Sequence, residues 1–115
     1  MVARSPAERR QLLVRRIVES RRNGAGVVFG VGEVSVEYDD RVLRLAVDTD
    51  ERDRLDAVLS EYHVFKIKQP ETRKADDGVV YLSAVTDAKH AADFLEALFR
   101  DVYGLGEGYE LRADG

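Results

Sequence analysis

The sequence predicts an α+β domain in which an antiparallel five-stranded sheet carries helices on one face, in the order α-β-β-β-α-β-β-α. Three observations lead there. A capping box opens an amphipathic helix at residue 5, clean two-residue alternation runs from 33 to 48 across a tight turn, and the densest helical apolar stripe lies between 86 and 103.

The first helix is the best-marked element. In Ser5-Pro6-Ala7-Glu8 the serine accepts from the Glu8 amide, the glutamate reaches back, and Pro6 occupies the first turn, where its missing N–H costs nothing. Leu13, Val14, Ile17 and Val18 then recur at helical spacing, and Gly24 supplies a left-handed cap, giving a helix over 6–22.

The run Val27–Phe29, bounded by glycines, reads as a short strand. Glu33–Tyr38 alternates with Val34, Val36 and Tyr38 on one side, Asp39-Asp40 makes a two-residue turn, and Arg41–Asp48 returns with Leu43, Leu45 and Val47. Thr49 or Asp50 caps a second helix whose stripe is Leu55, Val58, Leu59 and Tyr62. Its acidic start suits the positive end of the helix dipole.

His63–Lys68 alternates again, the polar stretch 69–78 forms a long hairpin tip, and Val79–Val85 closes the hairpin. Thr86 caps the last helix, lined by Ala91, Leu95, Leu98 and Val102 and ended by Gly104. The chain is thus one domain over 1–115, with a core over 5–103 and a tail over 104–115. That tail holds one short extended candidate, Tyr109–Arg112.

Composition narrows the function classes. The chain has 115 residues and no cysteine, which removes disulfides, thiolate metal sites and a cysteine nucleophile together. The first residues contain no apolar stretch of signal-peptide type, and a soluble, cytoplasmic protein is expected. Net charge is −4, unevenly spread: seven Arg against two Glu within 1–25 give +5, leaving −9 elsewhere. Such asymmetry marks either a basic interaction surface or an intramolecular charge match.

Motifs for chemistry are weak. His63 and His90 belong to no His-x₃-His or Glu-x-x-His pattern. Asp39-Asp40, Asp76-Asp77 and the Asp48–Glu51 cluster sit where turns and helix starts want aspartate for backbone reasons. Gly24, Gly26, Gly30 and Gly32 follow a helix and no lysine follows them, the reverse of a phosphate loop. No catalytic residue, metal ligand or cofactor is expected.

Two surfaces remain. The sheet face that the helices leave open carries Ser35, Glu37, Arg44, Lys66 and Lys68 beside Val42, Ala46 and Val64. That mixture suits a partner or a second subunit, with Glu37, Val42, Arg44, Val64, Lys66 and Lys68 as the contact positions. The alternative is nucleic acid, bound through Arg9, Arg10, Arg15, Arg16, Arg21 and Arg22 on the first helix and through Arg73 and Lys74 on the 66–74 hairpin. A sequence pI near 5.2 and arginine pairs that wrap around the helix weigh against that alternative.

The element order over 5–103 resembles that of the type III secretion chaperones and the related YbjN-type proteins, in topology and length and without a shared motif. The resemblance implies a non-enzymatic, often dimeric domain that holds peptide segments of partner proteins. A homodimer that also binds a protein or peptide is the expectation, with nucleic acid second and no membrane partner.

Overall fold

The computed structural model describes residues 2–68 and 78–115. The elements are β1 (Val2–Ala3), α1 (Pro6–Asn23), β2 (Val27–Val31), β3 (Val34–Asp39), β4 (Val42–Ala46), α2 (Thr49–Glu61), β5 (Lys66–Ile67), β6 (Val79–Ser83), α3 (Ala88–Ala97) and β7 (Leu111–Asp114). Among the described residues this is an α+β fold with a seven-stranded antiparallel sheet in the order β1-β7-β2-β3-β4-β6-β5.

Two strands exceed the five expected, and both come from the chain ends. The tail strand lies at Leu111–Asp114, two residues later than the extended candidate, and inserts between β1 and β2. Among the described residues, two-residue β1 reaches the sheet only through β7. A strand that short carries no readable alternation, so pairing reveals it where pattern does not.

The helix starts are built as the capping rules demand. Ser5 Oγ accepts from the Glu8 amide at 3.1 Å and the Ser5 amide donates to Glu8 Oε1 at 3.2 Å. Gly24 at φ +67° closes α1, donating to the Ser20 carbonyl at 2.9 Å. The cap of α2 is Asp48, one residue before Thr49 and two before Asp50, in a second capping box with Glu51. The cap of α3 is Asp87, which accepts from the His90 amide at 2.7 Å. Thr86 stands one residue ahead of the cap, its amide donating to the Ala84 carbonyl and its carbonyl accepting from Arg21.

Past Ala97 the helix widens into a π-helical stretch, Leu98–Val102, in which the Tyr103 amide reaches back to the Leu98 carbonyl. The widening keeps Leu98, Phe99 and Val102 all fully buried. Helix α3 lies between the other two, with α1 along it and α2 against its π-helical end.

The core is what this layer traps against one sheet face. Val27, Phe29, Val36, Tyr38, Leu43, Leu45, Val80, Leu82 and Leu111 face Leu12, Leu13, Ile17, Leu55, Phe94, Leu95 and Leu98. Each sheet contributor alternates with an outward residue, as strand geometry requires.

Two turns differ from expectation. The β3–β4 turn is Asp40-Arg41, one residue later than Asp39-Asp40, and both residues take positive φ (49° and 59°). The stretch 63–68 opens as a turn: after α2 the Phe65 amide donates to the Tyr62 carbonyl, and the strand that pairs with β6 is confined to Lys66–Ile67, with one further bond from the Lys68 amide. Val64 therefore stands exposed in that turn and not on the sheet face. Residues 69–77 of the expected hairpin tip, with Arg73, Lys74 and Asp76-Asp77, lie outside the described residues.

Candidate functional site

Strand alternation decides what the uncovered sheet face displays. From one side of the sheet to the other it presents Val2, Arg112, Asp114, Val28, Gly30, Ser35, Glu37, Asp39, Val42, Arg44, Ala46, Val79, Tyr81, Ser83, Lys66 and Lys68. Five of the six expected contact positions fall here: Glu37, Val42, Arg44, Lys66 and Lys68. Val28, Val42, Val79 and Tyr81 are half-buried by their neighbours, so the face offers apolar patches between charges.

Register lines several of these residues up in one row across the sheet. Asp114 pairs with Val28, Val28 with Glu37, Glu37 with Arg44, and Arg44 with Tyr81. The Lys68 amide donates to the Tyr81 carbonyl at 2.7 Å, which extends the row to Lys68. Near the middle, Arg44 Nη1 lies 3.8 Å from Glu37 Oε2, and its Nε donates to the Tyr81 hydroxyl at 3.3 Å. Arg112 bonds the Gly32 carbonyl at 3.1 Å. Tyr81, Val28 and Asp114 were not among the expected contact residues. Alternation within Val79–Ser83 marks Tyr81 as outward, whereas Asp114 lies two residues beyond the extended candidate Tyr109–Arg112.

The arginines of α1 are arranged differently. Arg9 is fully buried: Nε and Nη2 donate to the two Glu96 oxygens at 3.0 and 2.8 Å, and Nη1 donates to the Arg4 and Tyr109 carbonyls. Its guanidinium lies 3.9 Å from the Tyr109 ring centroid, and the Tyr109 hydroxyl donates to Glu96 at 2.5 Å. Burial pushes the Glu96 carboxyl up, but the hydrogen bonds from Arg9 and Tyr109 together outweigh it and hold the group below its usual value. Burial, then the bond to Glu96, raises Tyr109.

Arg9, expected among the surface cations, has no accessible guanidinium. Arg10 pairs with Asp93 at 3.0 Å, and Arg15 and Arg16 lie 3.6 and 3.7 Å from Glu19. Arg21 donates to the Tyr38 hydroxyl and the Thr86 carbonyl, while Arg22 is exposed near the helix end. Much of the basic charge of α1 is thus met within the molecule. Arg73 and Lys74 lie outside the described residues.

The helix side carries shallow grooves. One of about 790 Å³ runs beside α1 and is lined by Val2, Ala7, Gln11, Leu12 and Val14 among others. A second, of about 540 Å³, is lined in part by Tyr62, His90, Asp93 and Arg100. There the His90 ring lies 5.5 Å from Phe65 and 5.8 Å from Tyr62, in a cluster that continues to Phe94. His63 is exposed in the turn after α2. Among the described residues no three His, Asp or Glu side chains converge as a metal set, and no helix is long and apolar enough to cross a membrane.

No curated protein and no solved structure significantly matches the chain. One sequence profile matches over residues 1–114, and the chain belongs to its family, a family of unknown function (DUF7975).

Proposed function

We propose that the chain is a non-catalytic protein-interaction domain, chaperone-like in holding a peptide or protein segment against its open sheet face. One observation supports the reading above the others. The helices all pack on one face of the sheet, and the other presents half-buried Val28, Val42, Val79 and Tyr81 inside a frame of both charge signs. Apolar residues framed by charge are what a protein-binding patch needs: the centre drives burial and the rim sets register.

Selection of displayed peptides on the intact chain tests this reading. Val42→Asp and Tyr81→Ser are each expected to weaken the selected peptides tenfold or more with the helical circular dichroism retained. Binding that ignores both substitutions but is lost with Val14→Asp would move the site to the groove beside α1 and overturn the reading.

A further inference from the structure

The cross-sheet row on the open face has a sign-inverted symmetry. Read in register it runs Asp114, Val28, Glu37, Arg44, Tyr81, Lys68. In charge this is negative, apolar, negative, then positive, aromatic, positive. The flanking rows keep the same bias: Asp39 adds to the acidic half, Lys66 to the basic half, and Arg112 is the single cation on the acidic side. The β7-β2-β3 half of the described face therefore sums to −2 and the β4-β6-β5 half to +3.

We infer that the occupant of this face is a second copy of the chain, related by a two-fold axis that runs along the strands between β3 and β4. The inference rests on the reading of the open face as a docking surface and names its partner. A rotation about that axis reverses the order of strands and leaves height along them unchanged. The row of one copy then lies over the same row of the other, read backwards.

Each position of the row meets its chemical complement under that operation. Glu37 faces Arg44 of the second copy and Arg44 faces Glu37, so the loose 3.8 Å pair within one chain becomes half of an alternating four-charge cluster. Val28 faces Tyr81, an aliphatic against an aromatic surface. Asp114 faces Lys68 at both outer ends. An axis perpendicular to the strands within the same plane would keep strand order and set acidic half over acidic half, basic over basic. Like charges facing across an interface oppose that arrangement.

The geometry of stacked sheets accommodates the row. Sheets packed face to face lie about 10 Å apart with strand directions about 30° off parallel. Twelve ångströms or so from the axis, that angle displaces the outer partners by roughly 6 Å, a span the lysine stem bridges. Seven strands at ~4.8 Å spacing, with central strands of five residues, present a face of about 500 Å² in projection. That is small beside the ~800 Å² per partner of a standard interface, so a micromolar dimer that weakens with added salt is expected.

A charge-swap experiment on the full chain tests the inference. Glu37→Arg leaves two cations at the centre of the row, and Arg44→Glu leaves two anions. Sedimentation velocity at 10–300 μM should show wild type in monomer–dimer exchange and each variant monomeric, with an equal mixture restoring a heterodimer. Lys68→Asp and Asp114→Lys form a second such pair at the two ends of the row, where both side chains are exposed and folding is least at risk. Wild type monomeric throughout overturns the second-copy inference while the peptide selection continues to test the face. A dimer indifferent to all four substitutions places self-association elsewhere, and overturns the inference together with its assignment to this face.

Discussion

Arg9 and Glu96, 87 residues apart in sequence, form a two-bonded ion pair at 3.0 and 2.8 Å in which the arginine has no exposed surface. Tyr109 closes it from the other side, with its ring under the guanidinium and its hydroxyl on the same carboxylate. The cluster ties together the start of α1, the C-terminal end of α3 and the segment leading into β7. Strand β7 in turn holds β1 to the sheet, so the two terminal strands and the acidic end of the docking row depend on this pair.

Removing one partner should therefore cost far more than a surface pair would. Glu96→Ala leaves the buried guanidinium unpaired and is expected to destabilise the fold by about 3–5 kcal/mol in urea unfolding. Replacing both partners, Arg9→Met with Glu96→Leu, should cost less than the single change, because no charge is left buried. Tyr109→Phe removes one bond to the carboxylate and should cost ~1–3 kcal/mol.

The same pair gives stability a pH dependence of known sign. The Glu96 carboxyl is held below its ordinary value in the folded chain, so the unfolded chain binds its proton first as pH falls. Its contribution is fully present above the unfolded-state value and is lost as pH drops through the folded-state value. Unfolding free energy measured from pH 6 downward should fall through the acid range in wild type. Glu96→Gln should show a shallower fall on a lower plateau.

The β3–β4 hairpin carries residues that its turn does not favour. Asp40 and Arg41 both hold positive φ, which glycine and asparagine adopt at least cost. Asp40→Asn with Arg41→Gly should raise stability by about 0.5–1 kcal/mol, visible as a higher melting temperature.

Gly78 is a sharper case, where β6 begins. It sits at φ +81°, and a Cβ built on it would lie 2.9 Å from the Val47 carbonyl oxygen, while its own carbonyl accepts from the Val47 amide at 2.7 Å. Gly78→Ala should destabilise the fold by ~1–3 kcal/mol, again read by denaturant melting.

Much of the architecture is legible in the residues because local signals and tertiary demands agree there. The Ser5–Glu8 box, the alternation of Val34, Val36 and Tyr38, and the stripe through Ala91, Leu95 and Leu98 all specify the element that forms. The π-helical widening at Leu98–Val102 is hidden, since the same apolar spacing serves an α-helix. Strand β1 is hidden for another reason, two residues being too few for a period, and β7 is half legible: the extended candidate Tyr109–Arg112 overlaps it two residues early, because its place depends on partners about a hundred positions away. The docking row shares that fate in part. Glu37, Arg44, Lys66 and Lys68 can be assigned to one face from alternation, but Val64 falls in a turn that alternation does not reveal. The buried role of Arg9 leaves no trace in a helix with arginine pairs on several sides.

Zero-length carboxyl–amine cross-linking of the wild-type chain reads the two-fold dimer residue by residue. Lys68 and Asp114 stand five strand spacings apart within one chain, about 24 Å, too far to join directly. Across the proposed two-fold axis they face each other. A mixture of isotopically light and heavy protein should yield Lys68–Asp114 linked peptides of mixed isotope. Dimers linked only through residues of the helix layer, or no intermolecular Lys68–Asp114 link at concentrations where the chain self-associates, would rule out the face-to-face dimer.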